Sequence, residues 1–556
     1  MPTQPKLILM AKSTFSLLLF CLLMMPFKAS AQTQPSEHSY ISIADGSSQP
    51  YWIYLPPHYS PQKKYPLAVL LHGYDPGITK YNAWLPGKEI WSIFTNAGFV
   101  LAVPYGRRNS DFVDIGEDDV LRVRQETMQR YSIDAQRVFL IGVSMGAYGV
   151  YADALHHPDK WRAAATISGR TDFYLWFNLN RDDLPDWKKV LFDANDPRHL
   201  ARNALHLPFY IQHGAMDQVV DVENSRRFVA DLQKLNYAFR YEEYPYAGHY
   251  MYFEGKPYEK IVHWLKAVPS VISPPHEVRL TTGTLRDGKT DWAQITAFDR
   301  YDQLASIDAK VVENNIVEVT TSNVAGFELT PPKVLFSGKK DIQLQLNGVL
   351  LPQEYDAGKK IIYPQEAPPQ SFPGYKTAHR SGPIKACFRD PFLAVYGTTD
   401  PIDQIHAWQF VSQWQQYADG IPPMKADKDV TSEDLEKYNL ILFGTPDSNL
   451  LLDKIADKLP VKFVNDGYQI GQKYFSGKNI GVIFCYPSPF STQRMIVVQT
   501  GLYWGEALPI NHKWDLLPDY IIYNDSIDEE DSLRDEDKTN HALIAGFFDH
   551  HWNVEK

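Results

Sequence analysis

Arg137 to Gly149 reads RVFLIGVSMGAYG, and this stretch decides the fold. Arg137 to Val143 is an apolar run of strand length, and Met145 to His156 reads as a helix built of small and apolar residues. Between them Gly142-Val143-Ser144-Met145-Gly146 forms a G-x-S-x-G at the point where a strand turns at once into a helix. Such a turn lifts the serine into a strained, exposed position, and flanking glycines keep side chains out of a crowded crossing. The helix N-terminus then directs partial positive charge at the site. Ala147, Gly149 and Ala152 keep the helix slim against a sheet.

Outward from this point, residues from about 50 to 268 alternate apolar runs with amphipathic stretches. YWIYLPP, LAVLLHG (67–73) and GFVLAVP (98–104) precede the serine as strand candidates, and EDDVLRVRQETMQR (117–130) as a helix with an acidic first turn. RAAATIS, LPFYIQH and AFRYEEY follow it as strands, interleaved with helices near 222–236 and 258–267. Unbroken apolar strands alternating with helices predict a mostly parallel sheet covered on both faces.

A serine hydroxyl is a poor nucleophile until a base takes its proton, and the partners are expected in the order serine, acid, histidine. Asp217 follows the strand LPFYIQH in the run HGAMD, and His249 follows AFRYEEY in AGH. Both therefore stand past the carboxyl ends of strands, where open α/β sheets bind ligands. Ser144, His249 and Asp217 are accordingly read as nucleophile, base and acid. Asp221 is the rival acid and Asp172 a more distant one. Two backbone N–H groups should hold an oxyanion, those of Met145 and of Tyr74 after His72-Gly73. Tyr81, Trp84 and Trp176 are candidate substrate-binding rings, with Tyr174 and Phe177 beside them.

These residues resemble the compact secreted esterases of the α/β-hydrolase superfamily: feruloyl and acetylxylan esterases, polyhydroxybutyrate depolymerase-like proteins and prolyl-oligopeptidase-like hydrolases. The resemblance rests on LPPHY (55–59), LLHGY (70–74), 118–149, HHPDKWRAAATISG (156–169), HGAMDQVV (213–220) and YAGH (246–249). It departs from many relatives within GVSMGAYG (142–149), where they carry leucine and a third glycine. It implies an α/β-hydrolase fold and a serine esterase, with a serine peptidase as the alternative reading. A binding protein on an inactive hydrolase fold is disfavoured by the complete triad. The expected substrate is a small-molecule or polysaccharide ester carrying acetyl or feruloyl groups, with no cofactor and no metal.

The chain is 556 residues long with a net charge of −11, which argues against nucleic acid as principal partner. Lys6 and Lys12, the apolar run 16–25 and Ala29-Ser30-Ala31 read as a signal peptide over 1–31 with cleavage after Ala31, hence a periplasmic or extracellular protein. That run is too short to span a membrane. The hydrolase region is placed at 37–270. EVRLTTGTL, WAQITAF, IVEVTTSNV and DIQLQLNGV mark a small all-β module over 275–365, and PFLAVYGT and NLILFGT a C-terminal α/β domain over 371–556. Trp292, Phe298 and Tyr301 are expected in the module's core, the alternative being a sugar-stacking face. Cys387 and Cys485 are expected as buried free thiols. Asp549, His550 and His551 do not form a convincing metal motif. Because the triad precedes 273, a fragment ending near Ser273 is expected to retain activity. The oligomeric state is open.

Overall fold

In the computed structural model, strand β5 (Ile133–Val143) lies at the centre of an eight-stranded sheet and delivers Ser144 at its carboxyl end. The structure describes residues 35–270, 273–336, 341–364, 371–477, 479–505, 508–515, 517–528 and 542–554. The signal-peptide expectation for 1–31 lies outside them. The other strands of this sheet are β1 (Ser36–Ile41), β2 (Ser48–Tyr54), β3 (Tyr65–Leu71), β4 (Val100–Pro104), β6 (Ala163–Ile167), β7 (Phe209–Gly214) and β8 (Phe239–Tyr244), in the order β1-β2-β4-β3-β5-β6-β7-β8. β3 to β8 pair in parallel, and β1 and β2 add an antiparallel edge. The central strands are buried on both faces, as their unbroken apolar sequences require.

The faces are covered by helices α1 (Lys88–Asn96), α2 (Ile115–Arg130), α3 (Met145–His156), α5 (Glu223–Lys234) and α6 (Gly255–Ala267), while α4 (Asp186–Asp193), in the insertion between β6 and β7, packs elsewhere. All twelve residues of α3 are buried. Its alanines and glycines are what let its surroundings close on it: a Cβ on Gly149 would meet Phe112 Cβ at 2.5 Å and the Phe112 ring at 3.0 Å. Neither β1 nor α1 stands out in the sequence. β1 is a half-exposed edge strand of mixed polarity, and α1 follows a loop rich in proline and glycine.

Residues 277–363 form a five-stranded and a four-stranded sheet. Trp292, Phe298 and Tyr301 are buried in the core between them, which removes the sugar-stacking alternative for these rings. Residues 392–546 build a seven-stranded sheet whose first strands are parallel and whose last are antiparallel, flanked by helix α7 (Pro401–Ala418). Cys387 and Cys485 are buried free thiols beside it. No helix among the described residues is long and apolar enough to cross a membrane.

From Pro35 onward the described residues pack as one compact unit. The cores interlock: Val190 and Leu191 of α4 and Phe547 share the core of the β-module, and Ala44 and Ile115 belong to the core of the C-terminal sheet. Charge ties the same surfaces together. Arg107, with a fully buried side chain, donates to Asp45 Oδ2 and Asp119 Oδ2 at 2.8 Å each and to the carbonyl of Ala418 at 3.1 Å. Trp414 Nε1 donates to the same Asp45 oxygen at 3.0 Å. Arg389 grips Asp118 of α2 through two hydrogen bonds of 2.7 and 2.9 Å. A fragment ending near Ser273 would leave these groups buried without partners or newly exposed. The structure therefore argues against the expectation that such a fragment stays active.

Arg107→Ala should strand two buried carboxylates. The expected loss is about 3–5 kcal/mol of stability, as for other buried pairs broken on one side. Urea denaturation of the full chain checks this, and an unchanged midpoint would show that the pair contributes nothing net.

Candidate active site

Ser144 has φ of +54° and ψ of −119°, a left-handed backbone that a serine adopts only under constraint. The constraint is the crossing itself. A Cβ on Gly142 would lie 2.1 Å from the carbonyl oxygen of Gly146, and one on Gly146 would lie 2.4 Å from the carbonyl oxygens of Leu71 and His72. Both glycines of the motif are thus demanded by backbone atoms that cannot move aside. Ser144 N–H is anchored to the carbonyl of Ile167 at 2.9 Å. Although Ser144 caps α3, its hydroxyl makes no capping hydrogen bond and remains free for another partner.

That partner is His249, whose Nε2 lies 2.9 Å from Ser144 Oγ. His249 Nδ1 lies 2.8 Å from Asp217 Oδ2. A carboxylate only accepts, so Nδ1 carries the proton, and in the neutral ring Nε2 accepts from the serine. The Asp217 side chain is sealed from solvent. Burial alone would raise its carboxyl. Hydrogen bonds from His213 and His249 and from the backbone N–H groups of Val220 and Val219 outweigh burial and hold it well below the usual carboxylate range.

His213 opens the run HGAMD, yet nothing in the sequence singles it out. Its Nε2 faces Asp217 Oδ2 at 3.2 Å and the carbonyl of Val220 at 3.0 Å, while Nδ1 meets Ser225 Oγ at 2.7 Å. Two acceptors on Nε2 fix the proton there. Asp217 Oδ2 thus receives two imidazole donors, and Oδ1 receives Val219 and Val220 N–H at 2.9 Å each. Four donors clamp the carboxylate in one orientation. The rival acids are used elsewhere. Asp221 accepts from Glu223 N–H at the start of α5. Asp172 caps the turn at 173–176 and pairs with Arg198 and Arg227.

Met145 opens α3, where a backbone N–H has no acceptor within the helix. Gly73 passes so close that a Cβ on it would lie 3.4 Å from Ser144 Cβ, which brings the following residue, the exposed Tyr74, to the same rim. His72 is buried, with ring nitrogens 2.8 Å and 3.0 Å from the carbonyls of Gly73 and Tyr105, and serves as a strut.

The proposed substrate rings fare differently. Tyr81 is 89 % exposed, Trp84 packs on the hydrolase core, and Trp176 lies beside the Arg170 guanidinium. Tyr174 and Phe177 belong to a small satellite core with Phe173 and Phe192. Among the described residues, the rings that contact the His249 imidazole are Tyr250 and Tyr252, with centroids at 5.3 and 5.5 Å, and Phe253 packs on both tyrosines. The signal was the run HYMYF, which begins at the histidine itself.

Among the described residues Glu117, His157 and Asp287 stand close enough to share an ion. The protein's own cations already serve them. Arg389 lies 3.8 Å from Glu117 and 3.6 Å from Asp287. His156 faces the Glu117 carboxylate with Nδ1 and the Ala194 carbonyl with Nε2, so both nitrogens carry protons. Burial lowers this imidazole, but the adjoining Glu117 charge wins and pushes it up to about 10. The cluster is a salt-bridged joint between α2, α3 and the later regions, and we assign no metal to it.

Residues 113–270 match the prolyl oligopeptidase family of peptidases. The match takes in Ser144, Asp217 and His249, and the sheet that carries them has the α/β-hydrolase fold. Dipeptidyl-peptidase 5 of Porphyromonas gingivalis is 24 % identical over 208 residues, which is 33 % of this chain and 30 % of that protein. The chain thus matches less than a third of that relative's length. Among solved structures, fluorophosphonate-binding serine hydrolase F of Staphylococcus aureus is 19 % identical, covering 42 % of this chain and 98 % of its own at a TM-score of 0.34. Dipeptidyl peptidase 4 of Porphyromonas gingivalis is 17 % identical over 43 % of this chain and 36 % of its own, at 0.35.

Asp217→Asn should leave the fold intact and lower kcat by about 10⁴-fold, because His249 loses the tautomer it needs. Asp221→Asn should stay near wild type. The depressed Asp217 carboxyl also adds stability that is complete above about pH 4 and is lost as the pH falls below it. Acid unfolding curves should therefore decline less steeply below pH 4 in Asp217→Asn than in the wild type.

Proposed function

We propose that the chain is an exported carboxylesterase that removes acyl groups, acetyl or feruloyl, from polysaccharide-derived substrates. The observation that carries the catalytic part is the hydrogen-bonded line from Ser144 Oγ through both nitrogens of His249 to Asp217 Oδ2. Ser144 Oγ attacks the acyl carbon while its proton passes to His249 Nε2. The carbonyl oxygen becomes an oxyanion facing the N–H groups of Met145 and Tyr74. On collapse the C–O bond to the alcohol breaks, and His249 Nε2 returns the proton to the leaving oxygen. Water then repeats the sequence on the acyl-serine and releases the acid. Asp217, held ionised, orients and stabilises the imidazolium in both halves.

The ester reading is supported by the mouth beside His249. There the exposed Tyr250 and Phe253, with the Tyr252 ring packed behind them, supply two phenols and a phenyl ring and no formal charge, while Met251 is buried in the core. Such a wall accommodates an aromatic or acetyl acyl group or a sugar face, whereas a peptide terminus calls for an opposing charge. A peptidase is the second reading, favoured by the family of residues 113–270 and by the Porphyromonas gingivalis relative.

Ser144→Ala should abolish turnover and labelling by a fluorophosphonate. The wild type should turn over acetyl and feruloyl esters with a higher kcat/KM than alanyl- and prolyl-p-nitroanilides. Faster cleavage of the anilides would establish the peptidase instead, and labelling that survives Ser144→Ala would move the nucleophile elsewhere.

A further inference from the structure

Helix α7 buries one face and leaves the other without the charges a solvated helix normally carries. Asp403, Ala407, Phe410, Trp414 and Tyr417 face inward at spacings of four and three, the period of a helix packed on a sheet. On the opposite side Ile405 and Trp408 are 53 % and 62 % exposed. With Gln404, Ser412 and Gln416 they line a shallow, open groove along the helix. From Gln404 to Ala418 the sequence QIHAWQFVSQWQQYA holds no Asp, Glu, Lys or Arg, in a chain of which 22 % is charged. Solubility is maintained there by glutamine amides around a solvent-facing indole.

The groove runs toward the catalytic region. From Gln404 to Gln416 a helix advances about 18 Å. The carbonyl of Gln416 accepts a hydrogen bond from Arg108 Nη1 at 3.2 Å. Asp419, which ends the helix, accepts from the backbone N–H of Lys80 at 2.9 Å and from the Tyr105 hydroxyl at 2.7 Å. Lys80 adjoins the outward-facing Tyr81, on the loop that leaves Gly73 and Tyr74 at the rim of the nucleophile.

We propose that this face of α7 binds a neutral polysaccharide chain and leads it toward the Tyr81 loop. The chemistry of the surface selects the occupant. An exposed indole offers an apolar plane to the C–H face of a sugar ring. Amides both donate and accept, as sugar hydroxyls do, and each glutamine can serve either role. Among the described residues no cation lines the groove, and Arg108 at its far end is engaged by the Gln416 carbonyl and the Asp419 carboxylate. This disfavours phosphate, acidic sugars and anionic membranes, which basic side chains recruit. The inference extends the polysaccharide-esterase reading, but the groove is tested by binding and not by turnover.

The test uses the full chain carrying Ser144→Ala, with and without Trp408→Ala, in affinity electrophoresis through gels containing neutral xylan, soluble cellulose ether or starch. The single variant should be retarded by at least one neutral polymer, and the retardation should persist at high salt. Trp408→Ala should weaken that affinity about tenfold, the loss of one aromatic contact. In the otherwise wild-type chain, Trp408→Ala should leave kcat/KM for a small soluble ester unchanged. A second variant, Gln404→Ala with Gln416→Ala, should weaken retention in the same direction with Trp408 in place. Equal retention of all variants, or none by any neutral polymer, would overturn the proposal. So would a dimer that Trp408→Ala dissociates, or binding confined to anionic vesicles. Retention without ester hydrolysis would overturn the esterase reading and leave the groove standing.

Discussion

The left-handed turn at Ser144 is the constraint on which the rest of the hydrolase region depends. α3 must start in the space between the carboxyl ends of β3 and β5, with its first turn against the backbone of Leu71 and His72. Only glycine fits at 142 and 146, and the small residues Ala147, Gly149 and Ala152 let the helix remain there. A serine in relaxed backbone would point into the sheet or into the helix. Held as it is, its hydroxyl has no local acceptor and meets His249. The cost of the strained torsion, roughly 1–3 kcal/mol, is carried by the burial of the surrounding strands.

The elements nearest that turn were the most legible in the sequence. The strand before Ser144 and the helix after it fall where RVFLIGV and MGAYGVYADALH place them, because fully buried segments carry an unmixed signal. Asp217 and His249 were legible for a related reason: each stands in a short glycine-containing loop just past a strand, the buried β7 for Asp217 and the half-exposed edge strand β8 for His249. His213 was hidden because a histidine at a strand end gives no periodic signal, and its role appears only once β7 and the loop to Val220 are folded onto each other. The aromatic wall was misplaced for a complementary reason. Tyr174 and Phe177 look like mouth residues in sequence, yet an insertion between β6 and β7 gives them a core of their own, while YMYF lies against the imidazole.

Least legible was the joining of the three regions. Composition marks where strands give way to helices, but it does not show which charged side chains meet across hundreds of residues. Nothing in the sequence marks Arg107 or Arg389. In the fold both are buried, and each links a loop or helix of the hydrolase sheet to the C-terminal half of the chain. The β-module and C-terminal sheet are thus a continuation of the hydrolase core, through Val190, Leu191 and Phe547 on one side and Ala44 and Ile115 on the other.

The contact between Trp414 and Asp45 closes a loop of 369 positions. Synthesis proceeds at about 5–20 residues per second, so roughly 20–70 seconds separate the emergence of the two. Throughout that interval Arg107 has its carboxylates but not the carbonyl of Ala418, and the apolar side chains of Ala44 and Ile115 have nothing to cover them. The catalytic strands are made early and finished last. Completion of this flank waits on the arrival of the distal sequence, and until then its apolar side chains stand open.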